Sequence, residues 1–413
     1  MKPSEPNASG ADASQRVTEA FSFTLNGLPC EVRNTSQHTT VLDYLRHHGL
    51  TGSKQGCAEG DCGACTVALV ERGPDGRGTY RAVNSCIMLL PMLADREVVT
   101  VEGLARGGAL HPVQSAMVEA YGSQCGYCTP GFVMSMLEGF ERRTCTRPAI
   151  ADQLAGNLCR CTGYRPIREA MERAAGCAAP ADPRPPPQVQ DPPSARVRHG
   201  EELFERPTSL EALLRARAAD PAAVLVAGAT ELGVEVNKKL RRVDHLISVE
   251  GVCALREVRR EPDAWHIGGA ATLTAVEEAM AAEMPPVAKM LAVFASRQIR
   301  NRATLAGNLV TASPIGDMAP VLLALDAQVR LASVDGTRTL PLRDFFVGYR
   351  RTAMAPNEIL EAVRIPISVP PPGGRVIQDA FKVSKRREMD IAIVAAGFWV
   401  ALDADGRVAE ARL

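Results

Sequence analysis

The chain has no excess charge of either sign: Lys plus Arg and Asp plus Glu stand at 47 each among 413 residues, for a formal net charge of zero. That argues against a broad basic surface for nucleic acid and against electrostatic anchoring on an anionic membrane. No stretch comes near the roughly eighteen apolar residues of a membrane-crossing helix. The pattern GxGxxG is missing, which disfavours a Rossmann dinucleotide site, and no internal repeat of the usual periods is present. The opening MKPSEPNASGADASQ has neither an apolar signal core nor twin arginines, so no export signal is read there. Residues 1–20, rich in Ser, Ala, Pro and Asn, are expected to form a disordered tail.

Cysteine, by contrast, is plentiful: twelve in all, eight of them in two quartets. The first is Cys57-x4-Cys62-x2-Cys65 with Cys86 downstream. Gly56, Gly60 and Gly63 interleave with three of the thiols, letting one loop curl round a compact inorganic core, and the spacing is that of a plant-type two-iron cluster. A zinc ribbon, with its paired Cys-x2-Cys knuckles, fits this spacing poorly. The second quartet is Cys125-x2-Cys128 with Cys159-x-Cys161. Taken alone it admits zinc as well as iron; beside a plant-type loop, a second cluster is the better reading. Disulfide pairing is the rival account of an even cysteine count. The chain is large and shows no secretion signal, so reduced thiolates in a cytoplasmic setting are expected. Cys30, Cys145, Cys177 and Cys253 fall in no motif and read as incidental thiols.

The pattern along the chain is multidomain α+β. Residues 21–105 read as a small domain: two strands about the Asn26-Gly27 turn, a short helix with Val41, Leu42 and Leu45, the cysteine loop, and two strands joined by GPDG. Residues 106–177 turn to helical periodicity, with Pro130 at a first-turn position. Residues 178–199 read as a Pro-rich linker. Mixed α/β signals run over 200–370, and the break SVPPPGG separates a further piece, 371–413, whose end reads as one hairpin about Asp405-Gly406, marginal on its own. Within the α/β unit, VLVAGATEL runs from an apolar strand into a small-residue loop whose amides suit a pyrophosphate, though a plain strand-to-helix turn reads the same. The segment 294–320 offers Thr304, Gly307-Asn308, Thr311 and the carboxylate of Asp317 for ribose hydroxyls. Its bland reading is a polar loop, with Arg297, Arg300 and Arg302 as a charged helix face.

GCAEGDCGAC, SQCGYCTPGF, GNLCRCTGYRPI, LVAGATEL, the 294–320 segment and FKVSKRREMDIA, in that order, resemble the molybdenum hydroxylases. Within them the likeness is to the small iron–sulfur/FAD subunit of the bacterial xanthine dehydrogenase type, and it covers roughly 21–413 apart from the linker. The resemblance implies a plant-ferredoxin-like β-grasp domain, a helical-bundle [2Fe-2S] domain and a two-subdomain, non-Rossmann FAD-binding unit with a truncated C-terminal subdomain. It implies cluster ligation by Cys57, Cys62, Cys65, Cys86, Cys125, Cys128, Cys159 and Cys161. It places Leu225, Val226, Ala227, Gly228, Ala229, Thr230, Glu231 and Leu232 round the FAD pyrophosphate and Phe294 by the isoalloxazine. Thr304, Gly307, Asn308, Val310, Thr311, Asp317, Ile359, Leu360, Lys382 and Asp390 are the further FAD contacts it implies, and Gln124 faces the partner's molybdopterin. Met389 stands where some members carry an acid.

The expected function is that of an electron-transfer subunit in purine (hypoxanthine or xanthine) oxidation. Electrons would pass from a molybdopterin-binding large subunit through two [2Fe-2S] clusters to FAD and on to NAD, in an assembly with two of each subunit. No acid–base catalytic residue is assigned to this chain. The alternatives are a related aldehyde or N-heterocycle hydroxylase subunit, and a ferredoxin-like carrier without working flavin.

Overall fold

The computed structural model describes residues 17–73, 75–176 and 189–413. Its first unit is a five-stranded sheet in the order Leu28–Arg33, Ala20–Leu25, Glu97–Val99, Thr66–Arg72, Gly78–Asn84. Asn26 and Gly27 both take positive φ, which a tight two-residue hairpin turn requires, and Ala20–Leu25 pairs antiparallel with Leu28–Arg33 across them. The helix Val41–His47 starts at Thr40, whose hydroxyl accepts from the Asp43 amide at 3.1 Å while the Asp43 carboxylate returns to the Thr40 backbone. Its Val41, Tyr44 and Leu45 pack on Val67 and Leu69 of the sheet. The other face of the same strand, Thr66–Arg72, presents Ala68 and Val70 to helix Thr129–Glu141. Covered on both faces, Thr66–Val70 is buried throughout, and so this strand reads as a run rather than an alternation.

Four helices, Pro112–Glu119, Thr129–Glu141, Arg147–Leu154 and Arg165–Gly176, make the second unit. Thr129–Glu141 is its axis, buried from Gly131 to Phe140. Of the tail expected over 1–20, residues 1–16 lie outside the described residues. Thr18 is paired with Val197, its amide reaching the Arg196 carbonyl at 2.9 Å. Of the linker expected over 178–199, residues 178–188 lie outside the described residues, as does Cys177. Its far end is a strand, because once the prolines stop, Ala195–His199 can pair with Glu202–Arg206.

The α/β part has two layers with a cavity between them. One is a four-stranded sheet, Ala195–His199, Glu202–Arg206, His245–Ser248, Val224–Val226, whose last three strands run parallel with helices Leu210–Ala219 and Leu232–Lys239 between them. The other is an antiparallel five-stranded sheet, Val258–Arg260, Ala264–Gly268, Ile359–Pro366, Gln328–Ser333, Gly336–Pro341, which shares the largest apolar core with helices Leu273–Met280, Pro285–Leu291, Leu305–Val310 and Met318–Ala324. The C-terminal hairpin is not alone. Arg375–Val383 pairs with Val394–Leu402 over nine residues, making a three-stranded sheet with Val408–Arg412 that shares the main core through Ala380, Trp399 and Ala401. Among the described residues no helix is long and apolar enough to cross a membrane.

Candidate cofactor sites

The first quartet is held by a loop with positive φ at Ala58, Gly60 and Gly63, a conformation that costs glycine little. The curl turns amides inward. Cys57 Sγ accepts N–H groups from Asp61 and Cys62 at 3.3 Å and from Glu59 at 3.5 Å, and Cys62 Sγ accepts that of Cys57 at 3.4 Å. Cys65 and Cys86 are buried, Cys57 and Cys62 half-buried. The thiols meet in pairs, Cys57 with Cys62 and Cys65 with Cys86, and Cys57 also reaches Cys86. Hydrogen bonds from Cys62 and Cys86 hold the Cys57 thiol far below its ordinary value, and the same contacts push Cys62 and Cys86 up. Two thiolates to each iron is what a two-iron cluster takes, and sulfur-directed amides stabilise its charge. Among the described residues no three His, Cys, Asp or Glu side chains gather to hold a single ion.

The second quartet sits where helices begin. Cys128 immediately precedes helix Thr129–Glu141, whose second residue is Pro130, so the missing N–H falls where no helical partner exists. Here too the sulfurs pair, Cys125 with Cys161 and Cys128 with Cys159. Cys125 and Cys161 are exposed and Cys159 is buried. The Tyr127 amide lowers Cys125, whereas burial, with the contact to Cys159, pushes Cys128 up to about 12. The Thr162 hydroxyl lies 3.1 Å from Cys159 Sγ, and the Cys159 amide donates to Tyr164 Oη at 3.1 Å. Gln124, beside Cys125, is exposed. The two quartets are tied together: Leu158, next to Cys159, donates its amide to the Cys62 carbonyl at 3.0 Å, and Asn157 Nδ2 reaches the Gly63 carbonyl at 3.0 Å.

Between the two α/β layers lies a cavity of ≈ 800 Å³. Residues Leu225 to Leu232 form one wall. Phe294, Thr304, Gly307, Asn308, Val310, Thr311 and Asp317 form the second, and Ile359, Leu360, Lys382 and Asp390 close the rim. Every residue assigned to FAD by the sequence resemblance thus faces one space. Gly228 is required there, since a Cβ would stand 1.8 Å from the Arg302 carbonyl oxygen. Ala229, Ala295 and Met389, all lining the cavity, hold positive φ, which side-chain-bearing residues rarely adopt away from functional sites. Asn308 Oδ1 and Asp317 Oδ1 are buried without a hydrogen-bond partner, acceptors set for a polar ligand. The other Asp317 oxygen takes Lys382 Nζ at 2.7 Å; burial raises the carboxyl's pKa against that cation's pull. The Asp390 carboxylate is turned to its own loop, accepting the Arg386 amide at 2.9 Å. Sequence reasoning missed Asp61, Ala295, Ile299 and Arg386 as lining residues. Asp61 is the telling one, because it belongs to the first cysteine loop.

Four family descriptions match successive stretches: "2Fe-2S iron-sulfur cluster binding domain" over 23–90, "[2Fe-2S] binding domain" over 100–172, "FAD binding domain in molybdopterin dehydrogenase" over 198–368, and "CO dehydrogenase flavoprotein C-terminal domain" over 379–413. The chain belongs to the molybdenum hydroxylases, as an iron–sulfur/FAD module. Xanthine dehydrogenase of Drosophila subobscura is 36% identical over 95% of this chain and 34% of its own length. The xanthine dehydrogenase/oxidase of Mus musculus is 35% identical over 92% of the chain and 32% of its own. The module therefore spans about a third of the curated relatives it matches. Among solved structures, quinoline 2-oxidoreductase from Pseudomonas putida 86 is 27% identical with a TM-score of 0.46, covering 51% of this chain and 71% of that one.

Proposed function

We propose that the chain is the electron-transfer module of a xanthine dehydrogenase-type molybdenum hydroxylase. It would pass electrons from a molybdopterin-bearing partner through the Cys125/Cys128/Cys159/Cys161 cluster and the Cys57/Cys62/Cys65/Cys86 cluster to FAD, and on to NAD. The substrate class is a purine, as the names of the 36%-identical and 35%-identical relatives suggest, and the assembly holds two of each subunit in a reducing, cytoplasmic setting. One observation carries the reading: the three candidate sites are contiguous. The second quartet touches the first through the Leu158–Cys62 backbone bond, and the first touches the flavin cavity through Asp61. A flavin is the cofactor suited to this place, because it exchanges single electrons on one side and a hydride on the other.

The chain's own residues do the rest. The cysteine-loop amides favour the more negative, reduced state of a thiolate-held centre. The exposed edge formed by Cys125 and Cys161 leaves one quartet open to a partner, while Cys65 and Cys86 lie in a core closed by Ile87, Val234 and Ile299. Asp317, paired with Lys382 and keeping one free acceptor, orients a hydroxyl-bearing ligand in the cavity. Anaerobic purification of the chain, with iron, acid-labile sulfide and FAD analysed together, tests the cofactor set. Two distinct rhombic paramagnetic signals after dithionite are expected; zinc without sulfide would sink the reading. Co-expression with a molybdopterin-binding chain should give hypoxanthine-dependent NAD reduction.

A further inference from the structure

The short helix Arg297–Arg300 lies where all three units meet, and its side chains are buried: Arg297 is 2% exposed, Gln298 1% and Arg300 0%. Gln298 Nε2 donates to Ser135 Oγ at 2.9 Å and Asn157 Oδ1 at 2.8 Å. Asn157 is two residues from Cys159, and its own amide group holds the Gly63 carbonyl between Cys62 and Cys65. Glu138, fully buried on the axial helix, gathers donors from every unit. It accepts the Ala82 amide at 3.1 Å, Arg297 Nε at 3.1 Å, Asn301 Nδ2 at 2.9 Å and Gln153 Nε2 at 3.3 Å. Arg300 grips Asp152 of the helical unit at 2.6 and 2.8 Å. The intervening residue, Ile299, packs on the core of Cys65 and Cys86 and lines the flavin cavity.

We infer that this helix is an alignment key: Gln298 and Arg297, working through Asn157 and Glu138, are positioning residues that set the two cysteine quartets at fixed separations from each other and from the flavin cavity. A buried ionic set is weak evidence for stability, since apolar side chains of similar volume usually serve as well; what it adds is a single register between the parts it joins. Here Gln298 Nε2, Arg297 Nε and Arg300 Nη2 all reach partners on the helical unit, so sliding that unit by a residue would strand a buried charge or amide. Electron transfer needs fixed separations, and a site held loosely by its supporting residues loses function before it loses fold.

The inference rests on the electron-transfer reading, and one experiment separates their failures. In the full chain loaded with clusters and flavin, a radiolytic pulse delivers one electron, and cluster and flavin absorbance are followed. If the wild type shows no cluster-to-flavin transfer, the functional reading fails. If it does, Q298M and E138Q should slow the transfer by about tenfold or more, as small misplacements at reacting centres do. They should also weaken the spin–spin splitting between the two reduced clusters, with iron, sulfide and flavin content kept. Because that splitting reports only molecules that hold both clusters, partial loss of cofactor does not obscure it; the milder I299V gives a second reading in a well-loaded protein. Unchanged transfer and splitting in all three variants would overturn the inference.

Discussion

The two cysteine quartets each offer four thiols, from opposite surroundings. The first takes three thiols from one glycine-curled loop and is then walled in. Asn237 of the α/β part donates to the carbonyls of Ala58 at 3.0 Å and Cys86 at 2.7 Å, and Ile299 and Val234 pack on Cys65, Cys86 and Ile87. The second joins two pairs about thirty residues apart and leaves Cys125 and Cys161 in solvent. Position in the proposed relay would account for the contrast. In that proposal the inner centre lies against a flavin and away from water, whereas the outer one meets a partner outside the chain.

The strongest way to break this contrast is to remove one thiol from each quartet. Cys65→Ser should cost the first cluster and, because that thiol lies in the core shared with the flavin part, most of the flavin as well. Cys125→Ser should cost only the second cluster. Iron, sulfide and flavin assays on both proteins check this; equal flavin loss would dissolve the contrast. Next in size are the glycines. Gly63 has φ +66, and a Cβ would lie 2.2 Å from the Gly156 carbonyl oxygen, so Gly63→Ala should destabilise by about 3–5 kcal/mol. Gly163, in the second quartet's loop, has nearly the same φ of +65 and open space around it, so Gly163→Ala should cost only about 1–2 kcal/mol. Thermal unfolding of the two variants measures the difference.

A third contrast concerns pH. Glu202 of the α/β part accepts from Ser36 Oγ at 2.7 Å, from the Gln37 amide at 2.9 Å and from His38 Nδ1 at 3.0 Å, anchoring the first unit. Burial works to raise its pKa, but these donors prevail and lower it. A depressed carboxyl stabilises above its unfolded pKa of about 4.3, and that stabilisation fades as pH falls through the lower folded value. Glu202→Gln should therefore cost about 1–2 kcal/mol near neutrality, converging on wild type in acid; parallel melting curves across pH would refute this. The smallest expected effect is at Thr162. Thr162→Val removes the hydroxyl beside Cys159 Sγ, a donor that favours the reduced cluster, and should lower that cluster's midpoint potential by roughly 40 mV, one hydrogen bond's worth. Redox titration of the second cluster, with the first as internal reference, reads the shift.

Much of the candidate sites was legible because their signals are local. The x4–x2 and x2/x–x spacings, the small-residue loop at Gly228 and the Pro130 start all act within a few residues of chain. What stayed hidden depends on partners far along the sequence. Arg297, Arg300 and Arg302 read as a charged helix face, yet all three are buried, because Glu138, Asp152 and Glu250 come from other parts of the fold to pair them. Asp61 has no role assigned by the sequence reading of the cysteine loop, and only docking turns it toward the flavin cavity. The C-terminal hairpin read as isolated because its third strand, Arg375–Val383, begins directly after the Pro/Gly break.

By itself the sequence determined which atoms can bind: eight sulfurs in two sets, and small-residue loops that let a cofactor approach the backbone, since spacing and missing side chains act at short range. The tertiary structure alone decided how those sites stand to one another. Burial of charge, the choice of which quartet faces water, and the contact of one cysteine loop with the flavin cavity arise from surfaces brought together across more than two hundred residues, where desolvation and packing, rather than local propensity, set the energy.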